Sequence, residues 1–277
     1  TGQLRKGSGT GSMSFNGGTL RLTGNQADLF SGFAAGGVTL AAGGGTIDTQ
    51  NFSVSTAHSL DGTGDLTKTG SGTLTLSGAN TYSGTTAITS GTLQLGASGS
   101  INDSSQIKVA SSATFDVSAH SGGFTLGASQ TLSGNGTVLG DFTMAGTLAV
   151  SNPSGLDDTK DDRSLLFTDD LSFVPDSVIQ IRLASLSDYD RIFVSDELTY
   201  GGTLSISFGD GYLPRAGDSF ALFNEFSAQN GTFTEFDIEF ENSAQSATFD
   251  YETGTITFAP PRVYVDAEND FVITTDN

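Results

Sequence analysis

The chain has 277 residues, of which 37 are glycine, 20 are phenylalanine and none is cysteine. The lack of cysteine excludes disulfides, thiolate nucleophiles, iron–sulfur clusters and cysteine-ligated zinc, and two histidines are too few for a histidine-rich metal site. The glycines follow no three-residue period and 36% of the residues are hydrophobic, which excludes collagen and favours a folded chain with a core over a disordered linker.

The formal net charge is −20, which argues against nucleic acid as a partner because the two polyanions would repel each other. No run of 18 apolar residues occurs, so no membrane-spanning helix is expected, and the first ten residues lack a signal-peptide pattern. Thr1 is not an initiator methionine and the last residues continue a strand-like pattern. We therefore expect this chain to be a piece of a longer protein.

Charge and glycine content both change near residue 150. Residues 1–150 hold five basic residues, seven acidic residues and 29 glycines. Residues 151–277 hold six basic residues, 24 acidic residues and eight glycines. A polar stretch with proline, glycine and clustered acids, residues 151–164, separates the two parts. The sequence predicts a repeat region at 1–150, an acidic linker at 151–164, an acidic β-rich module at 165–260, and the start of another module at 261–277.

Short alternations of apolar and polar residues predict β-strands along the whole chain. They include residues 73–76 and 92–95 in the first part, and 178–183, 203–208 and 255–258 in the second. No segment has a helical period. The chain is predicted to be all-β, and the alternating phenylalanines of its second part are expected in the core.

A Gly-Thr-apolar unit occurs nine times. The units begin at Gly18, Gly45, Gly72, Gly91, Gly136, Gly146, Gly202, Gly231 and Gly254. The first three are equally spaced and the fourth follows sooner, which is typical of an irregular coil-by-coil repeat whose stacked units share one core. We predict a right-handed parallel β-helix, or solenoid, followed by an acidic β-rich capping module, with a β-sandwich as the alternative for the second module.

One segment resembles a known family of repeats. It combines Lys68, a Gly-x-Gly-Thr-Leu-x-Leu run at 70–76, Asn-x-Tyr-x-Gly at 80–84 and Gly-Thr-Leu at 91–93. This combination resembles the autotransporter-associated β-strand repeat of passenger domains, and a weaker similarity runs over residues 107–138. The resemblance implies a surface-exposed or secreted bacterial β-helix, usually a stalk or adhesive shaft exported across a Gram-negative envelope, by a route that it does not specify.

The acidic linker contains the candidate metal ligands. Asp157, Asp158, Asp161 and Asp162 could offer carboxylate oxygens to calcium. Their spacing fits neither an EF-hand nor tandem nonapeptide repeats, and two neighbouring basic residues offset part of their charge. A solvated acidic linker is the competing interpretation, and no other cofactor is expected.

Six further residues have both a functional and a structural interpretation. His58 with Asp61 could belong to a hydrolase triad, but no nucleophile elbow accompanies them. Asn80 and Tyr82 are expected to complete a coil corner, with sugar binding by Tyr82 as the secondary interpretation. Asp188 with Asp190 is expected to hold the turn before the strand at Ile192 rather than to bind calcium.

These patterns favour a non-catalytic role. We expect a structural stalk or passenger segment of a cell-surface or secreted protein, outside the cytoplasm. The alternative is an adhesin segment whose outer ladder of threonine, serine and asparagine binds glycans or a neighbouring surface protein chain. A polysaccharide-cleaving β-helix is a third alternative, weakened because acids are sparse in the repeat region.

Overall fold

A computed structural model of the protein describes residues 11–34, 36–150, 164–209, 211–238 and 246–259, and the backbone of 264–265 and 271–272. All regular secondary structure in these ranges is β-strand. A search of the same ranges for a helix long and apolar enough to cross a membrane finds none. The all-β prediction is confirmed.

Most strands are short. The strands up to residue 150 are β1 (Met13–Phe15), β2 (Gly18–Arg21), β3 (Val38–Leu40), β4 (Gly45–Asp48), β5 (Ser53–Thr56), β6 (Asp61–Gly62), β7 (Leu66–Thr69), β8 (Thr73–Leu76), β9 (Thr86–Ile88), β10 (Gly91–Leu95), β11 (Gln106–Val109), β12 (Ala113–Asp116), β13 (Phe124–Leu126), β14 (Thr131–Gly134), β15 (Thr137–Leu139), β16 (Phe142–Met144) and β17 (Thr147–Ala149). The later strands are β18 (Ser164–Phe167), β19 (Leu171–Phe173), β20 (Val178–Ser185), β21 (Asp188–Tyr189), β22 (Arg191–Val194), β23 (Glu197–Tyr200), β24 (Thr203–Phe208), β25 (Ser219–Ala221), β26 (Phe223–Asn224), β27 (Ala228–Gly231), β28 (Glu235–Ile238), β29 (Ser246–Asp250), β30 (Thr255–Ala259), β31 (Tyr264–Val265) and β32 (Phe271–Val272).

The strands stack into parallel sheets that run along the molecule. The first face is the sheet β2-β4-β7-β9-β11-β14-β17-β20-β24-β28, with the short β21 beside β20, and the second face is β5-β8-β10-β12-β15-β18-β22-β26. Two shorter parallel sheets, β1-β3-β6 and β13-β16-β19-β23-β27, occupy the third position of the coil. The chain passes the faces in the same cyclic order, although within the described ranges no strand occupies the third position between β6 and β13, and the stacked parallel sheets confirm the predicted parallel β-helix.

Inward side chains of successive coils form a continuous core. On the second face Val54, Leu74, Leu93, Phe115 and Val138 are register partners in turn, and each is buried. No single coil could bury these side chains alone, and stacking removes them from water.

Coil length varies, as an irregular repeat implies, so the equal spacing of the first three Gly-Thr-apolar units does not mark equal coils. Gly18 pairs with Gly45 on the first face, so the interval between these two units is one coil. Gly45 then pairs with Leu66, whereas Thr73, which follows Gly72, lies on the second face beside Ser53. The unit marks the entry to strands on different faces because a corner has the same backbone requirement wherever it occurs.

The sheets cross the predicted boundary at residue 150 without interruption. β17 pairs with β20 and β15 with β18, both in parallel. Strands β18 to β28, apart from β21 and β25, therefore continue the β-helix, which corrects the predicted separate module beginning at 165 and its β-sandwich alternative. The change in charge and glycine content affects the outer surface and the corners of the coils. The alternation of inward apolar side chains, which determines how the coils stack, continues past residue 150.

The predicted cap is a small antiparallel sheet, β25-β30-β29, beside the last coils. Phe249 of β29 packs against the rings of Tyr200, Phe223 and Phe233 at centroid distances of 5.7, 6.2 and 5.2 Å. Phe258 of β30 packs on Phe220 at 6.0 Å. Most second-part phenylalanines are core residues as expected, but Phe236 on the last strand of the first face is 42% exposed.

Two predicted segments fall largely outside the described residues. Of the linker at 151–164 only Ser164 is described, as the first residue of β18. Of residues 261–277 only the antiparallel pair β31 and β32 is described.

Candidate functional site

Lys68 occupies an inward-facing position of β7 and is fully buried. Its Nζ donates hydrogen bonds to the carbonyl oxygens of Thr69 at 3.0 Å, Gly70 at 2.9 Å and Ser90 at 3.1 Å. Burial lowers the pKa of Lys68 to about 8, and the negative charge of Asp48 opposes that shift. Because Ser90 belongs to the next coil, the ammonium group links two coils at their corner.

Asn80 connects three successive coils. Its Oδ1 accepts a hydrogen bond from the backbone N–H of Leu60 at 3.0 Å, and its Nδ2 donates to the carbonyls of Gly78 at 2.9 Å and Ser100 at 2.8 Å. The residue is 3% exposed, so these bonds satisfy backbone groups that water would otherwise have to reach. The expected role of Asn80 at a coil corner is confirmed.

Tyr82 lies entirely inside the coil, which excludes sugar binding, the secondary interpretation of this residue. The ring is 0% exposed, and the hydroxyl forms a hydrogen bond with Thr86 Oγ1 at 2.6 Å. Thr86 Oγ1 in turn lies 2.8 Å from Ser104 Oγ, which donates to the carbonyl of Gly84. Burial raises the pKa of the Tyr82 hydroxyl, so it remains neutral. A sugar could not reach this ring.

The glycines of the segment allow neighbouring coils to approach closely. Gly91 has a φ of +66°, and a Cβ at this position would lie 2.4 Å from the carbonyl oxygen of Gly70 and 2.5 Å from that of Gly72. Both the left-handed conformation and the contact exclude a larger residue without rearrangement.

The sequence revealed these motif residues but not their partners. In β7 the inward positions alternate with outward ones, and Lys68 takes the inward position after Leu66. A lysine at an inward position of this alternating pattern was the sequence signal for a buried charge. The partners Ser90, Ser100 and Ser104 could not be found because their proximity depends on how the coils stack.

These motif residues agree with the comparison with known families. Residues 66–95 match the family described as Passenger-associated-transport-repeat. The resemblance is thereby confirmed. The passenger repeat covers β7 to β10, and its lysine, asparagine, tyrosine and glycines are the coil-linking residues described above. No curated protein matches the chain.

The proposed calcium ligands Asp157, Asp158, Asp161 and Asp162 lie outside the described residues. Within the described ranges, no group of three or more histidine, aspartate or glutamate side chains is arranged to hold a metal ion.

Asp188 and Asp190 lie where the sequence predicted a turn. Asp190 is fully buried, and its Oδ2 accepts a hydrogen bond from the backbone N–H of Arg182 at 2.7 Å. Asp188 lies in β21, which runs antiparallel to the end of β20. The turn-holding role of Asp190 before Ile192 is confirmed.

The pairing of His58 with Asp61 suggested by the sequence is not formed. His58 Nδ1 lies 3.8 Å from Asp28 Oδ1, and Nε2 contacts the carbonyl oxygen of Phe33. Asp61 instead accepts a hydrogen bond from Thr81 Oγ1 at 2.6 Å. The two side chains therefore take part in different contacts between coils.

The outer surface of the second face carries a polar ladder. Its successive register partners are Ser53, Thr73, Thr92, Thr114 and Thr137, each partly or fully exposed. Further along the same row the partners become Leu166 and Phe193. The expected ladder of hydroxyl side chains thus exists, and it ends near the predicted boundary.

Proposed function

We propose that this chain is a non-catalytic structural segment of a bacterial cell-surface or secreted protein, in which stacked coils form a rigid rod. The proposal rests on the hydrogen bonds that the polar side chains of the passenger repeat form inside the stack. Lys68, Asn80 and Tyr82 direct their polar atoms to groups within the coils rather than to solvent. Such residues stabilise coil stacking and leave their functional groups unavailable to a substrate.

The acids of the early coils support the same proposal. Asp48 accepts hydrogen bonds from Arg21 and Gln50, and Asp116 accepts from Gln94 and Ser118. A hydrolase that acts on polysaccharides needs two carboxyl groups facing one bound sugar, with a spacing of roughly 5–9.5 Å. These acids are instead held by neighbouring side chains.

An activity screen tests the non-catalytic role. The full chain is incubated with a panel of plant and bacterial polysaccharides, and newly formed reducing ends are measured. We expect no release above a buffer control. Release that co-purifies with the chain and is lost on substitution of a carboxylate would contradict the proposal.

The location outside the cytoplasm rests on the similarity of residues 66–95 to passenger repeats. In the bacterium that produces the protein, a protease added to intact cells should degrade it, or it should be found in the medium. Protection in intact cells, with degradation only after lysis, would contradict the proposed location.

A further inference from the structure

A cavity of about 470 Å³ opens on the outer side of the first face near its last strands. Its lining includes Ser205, Ser207, Phe208, Tyr212, Leu213 and Asp237. These lining residues belong to β24, to β28 and to the loop that follows β24. The volume lies within the range of roughly 300–1,000 Å³ that is typical of small-molecule sites.

The floor of the cavity belongs to a row of hydrogen-bonding side chains. Ser205 and Asp237 line the cavity and are register partners on β24 and β28, whereas Gln180, the partner of Ser205 on β20, lies outside the lining. Ser205 Oγ donates to Asp237 Oδ2 at 3.2 Å. A hydroxyl and a carboxylate are thus presented side by side, and together they offer a ligand hydrogen-bond acceptors and a donor.

The wall of the cavity is apolar and held in place from behind. The Tyr212 hydroxyl donates to Asp218 Oδ2 at 2.5 Å, and its ring packs edge-on against Phe220 with centroids 6.0 Å apart. Phe208 packs on Phe258 at 5.9 Å. The wall therefore needs little ordering when a ligand binds, which favours affinity.

The charges around the cavity restrict the class of ligand. Asp237 is the charged side chain among the lining residues, and the guanidinium of Arg182, the register partner of Ser207, lies next to Gly209 beside the cavity. Residues 151–277 carry 24 acids against six bases. Opposite charges on Asp237 and Arg182, in a part of the chain with an excess of acids, favour a neutral ligand over a strongly anionic one such as a phosphate or a sulfated sugar.

We propose that this cavity binds a neutral oligosaccharide. Sugar hydroxyls both donate and accept hydrogen bonds and so match Ser205, Ser207 and Asp237, while the C–H face of a sugar ring matches the wall formed by Tyr212 and Leu213. Leu213 is 50% exposed, so its side chain is accessible to a ligand in the cavity. This site goes beyond the rod function and does not depend on it.

The test begins with binding of the full chain to an array of neutral, acidic and amino-containing oligosaccharides. A basic peptide is included on the array as an alternative class of ligand. The neutral sugar that binds best is then titrated calorimetrically against wild type, Asp237→Ala and Ser207→Leu. Thr125→Ala, an exposed change on β13, is the matched control. Each variant is first melted to show that it folds.

We expect a neutral sugar to bind, with affinity reduced at least about tenfold by Asp237→Ala, which removes an acceptor, and by Ser207→Leu, which fills the cavity. Thr125→Ala should bind as wild type does. The proposal is overturned if no neutral sugar binds at millimolar concentration, if acidic sugars or the basic peptide bind better, or if both cavity variants retain wild-type affinity.

Discussion

At the scale of single residues, the passenger repeat is organised by polar side chains that have been withdrawn from solvent. Asn80 has hydrogen bonds to the coils before and after its own, and Lys68 reaches the following coil. Each bond fixes which residue stands above which, so these side chains specify the register of the stack. Apolar side chains of similar size could fill the same space but would not specify that register.

Asn80→Ala should therefore destabilise the protein. The substitution leaves the buried N–H of Leu60 and the carbonyl of Ser100 without their side-chain partner. We expect a loss of about 1–3 kcal/mol in the free energy of unfolding, measured by urea denaturation. Thr125→Ala, at an exposed site, should change it by less than about 0.5 kcal/mol. Equal stability of the two variants would show that the side-chain hydrogen bonds of Asn80 do not stabilise the fold.

Lys68 should make stability depend on pH. Its pKa is lowered to about 8 in the fold, from an ordinary value of 10.5. Between these values the unfolded chain holds a proton that the folded chain has released, so stability should rise with pH in that window and the cost of burying the ammonium should be largest below pH 8.

The comparison that isolates this effect is wild type against Lys68→Met. Melting temperatures are measured from pH 7 to 9.5, and the difference between the two proteins is plotted. Tyrosines and other groups that titrate in both proteins cancel in the difference. We expect wild type to gain on the variant as pH rises, and a flat or falling difference would contradict the lowered pKa.

At the scale of strands and coils, the sequence predicts some properties well and others not at all. The alternation in β8 and β10 is local, so strands and their inward sides could be identified from residues such as Leu74 and Leu93. The face on which a strand lies depends on the number of residues at each corner, and Gly72 looks the same in sequence as Gly45. Face and coil length therefore required the structure.

The candidate site was predictable to a similar extent. The motif around Lys68 and Asn80 was visible because its residues are close in sequence. The contact of His58 with Asp28 and the hydrogen bond of Ser205 with Asp237 each join residues that are far apart in the chain. Neither contact could be found before the coils were stacked.

Corner glycines provide a test at this scale. Gly91→Ala places a methyl group 2.4 Å from the Gly70 carbonyl oxygen at a φ of +66°. We expect a loss of more than about 1 kcal/mol, since an L-residue is strained there even without the contact. Gly24→Ala is the matched control because its Cβ would meet nothing within 4 Å. Melting curves for both variants give the result, and equal melting temperatures would refute the close-approach argument.

At the scale of the whole molecule, one β-helix extends through the change in composition near residue 150. The two parts of the chain differ strongly in charge, yet β16 and β19 pair in the same sheet. The antiparallel sheet containing β29 and β30 then covers the aromatic residues of the last coils. A continuous stack of this kind suits a rigid surface segment, because each coil is supported by its neighbours on both sides.

Engineered cysteines test this continuity most directly, since the chain has none of its own. Thr143 and Ser172 are register partners on either side of the predicted boundary, and Thr199 is one coil further on. Strand neighbours about 4.8 Å apart are within disulfide range, whereas a separation of two strands is not. The account predicts that Thr143→Cys with Ser172→Cys forms an intramolecular disulfide under mild oxidation and that Thr143→Cys with Thr199→Cys does not; absence of the first bond, or equal formation of both, would contradict a continuous β-helix.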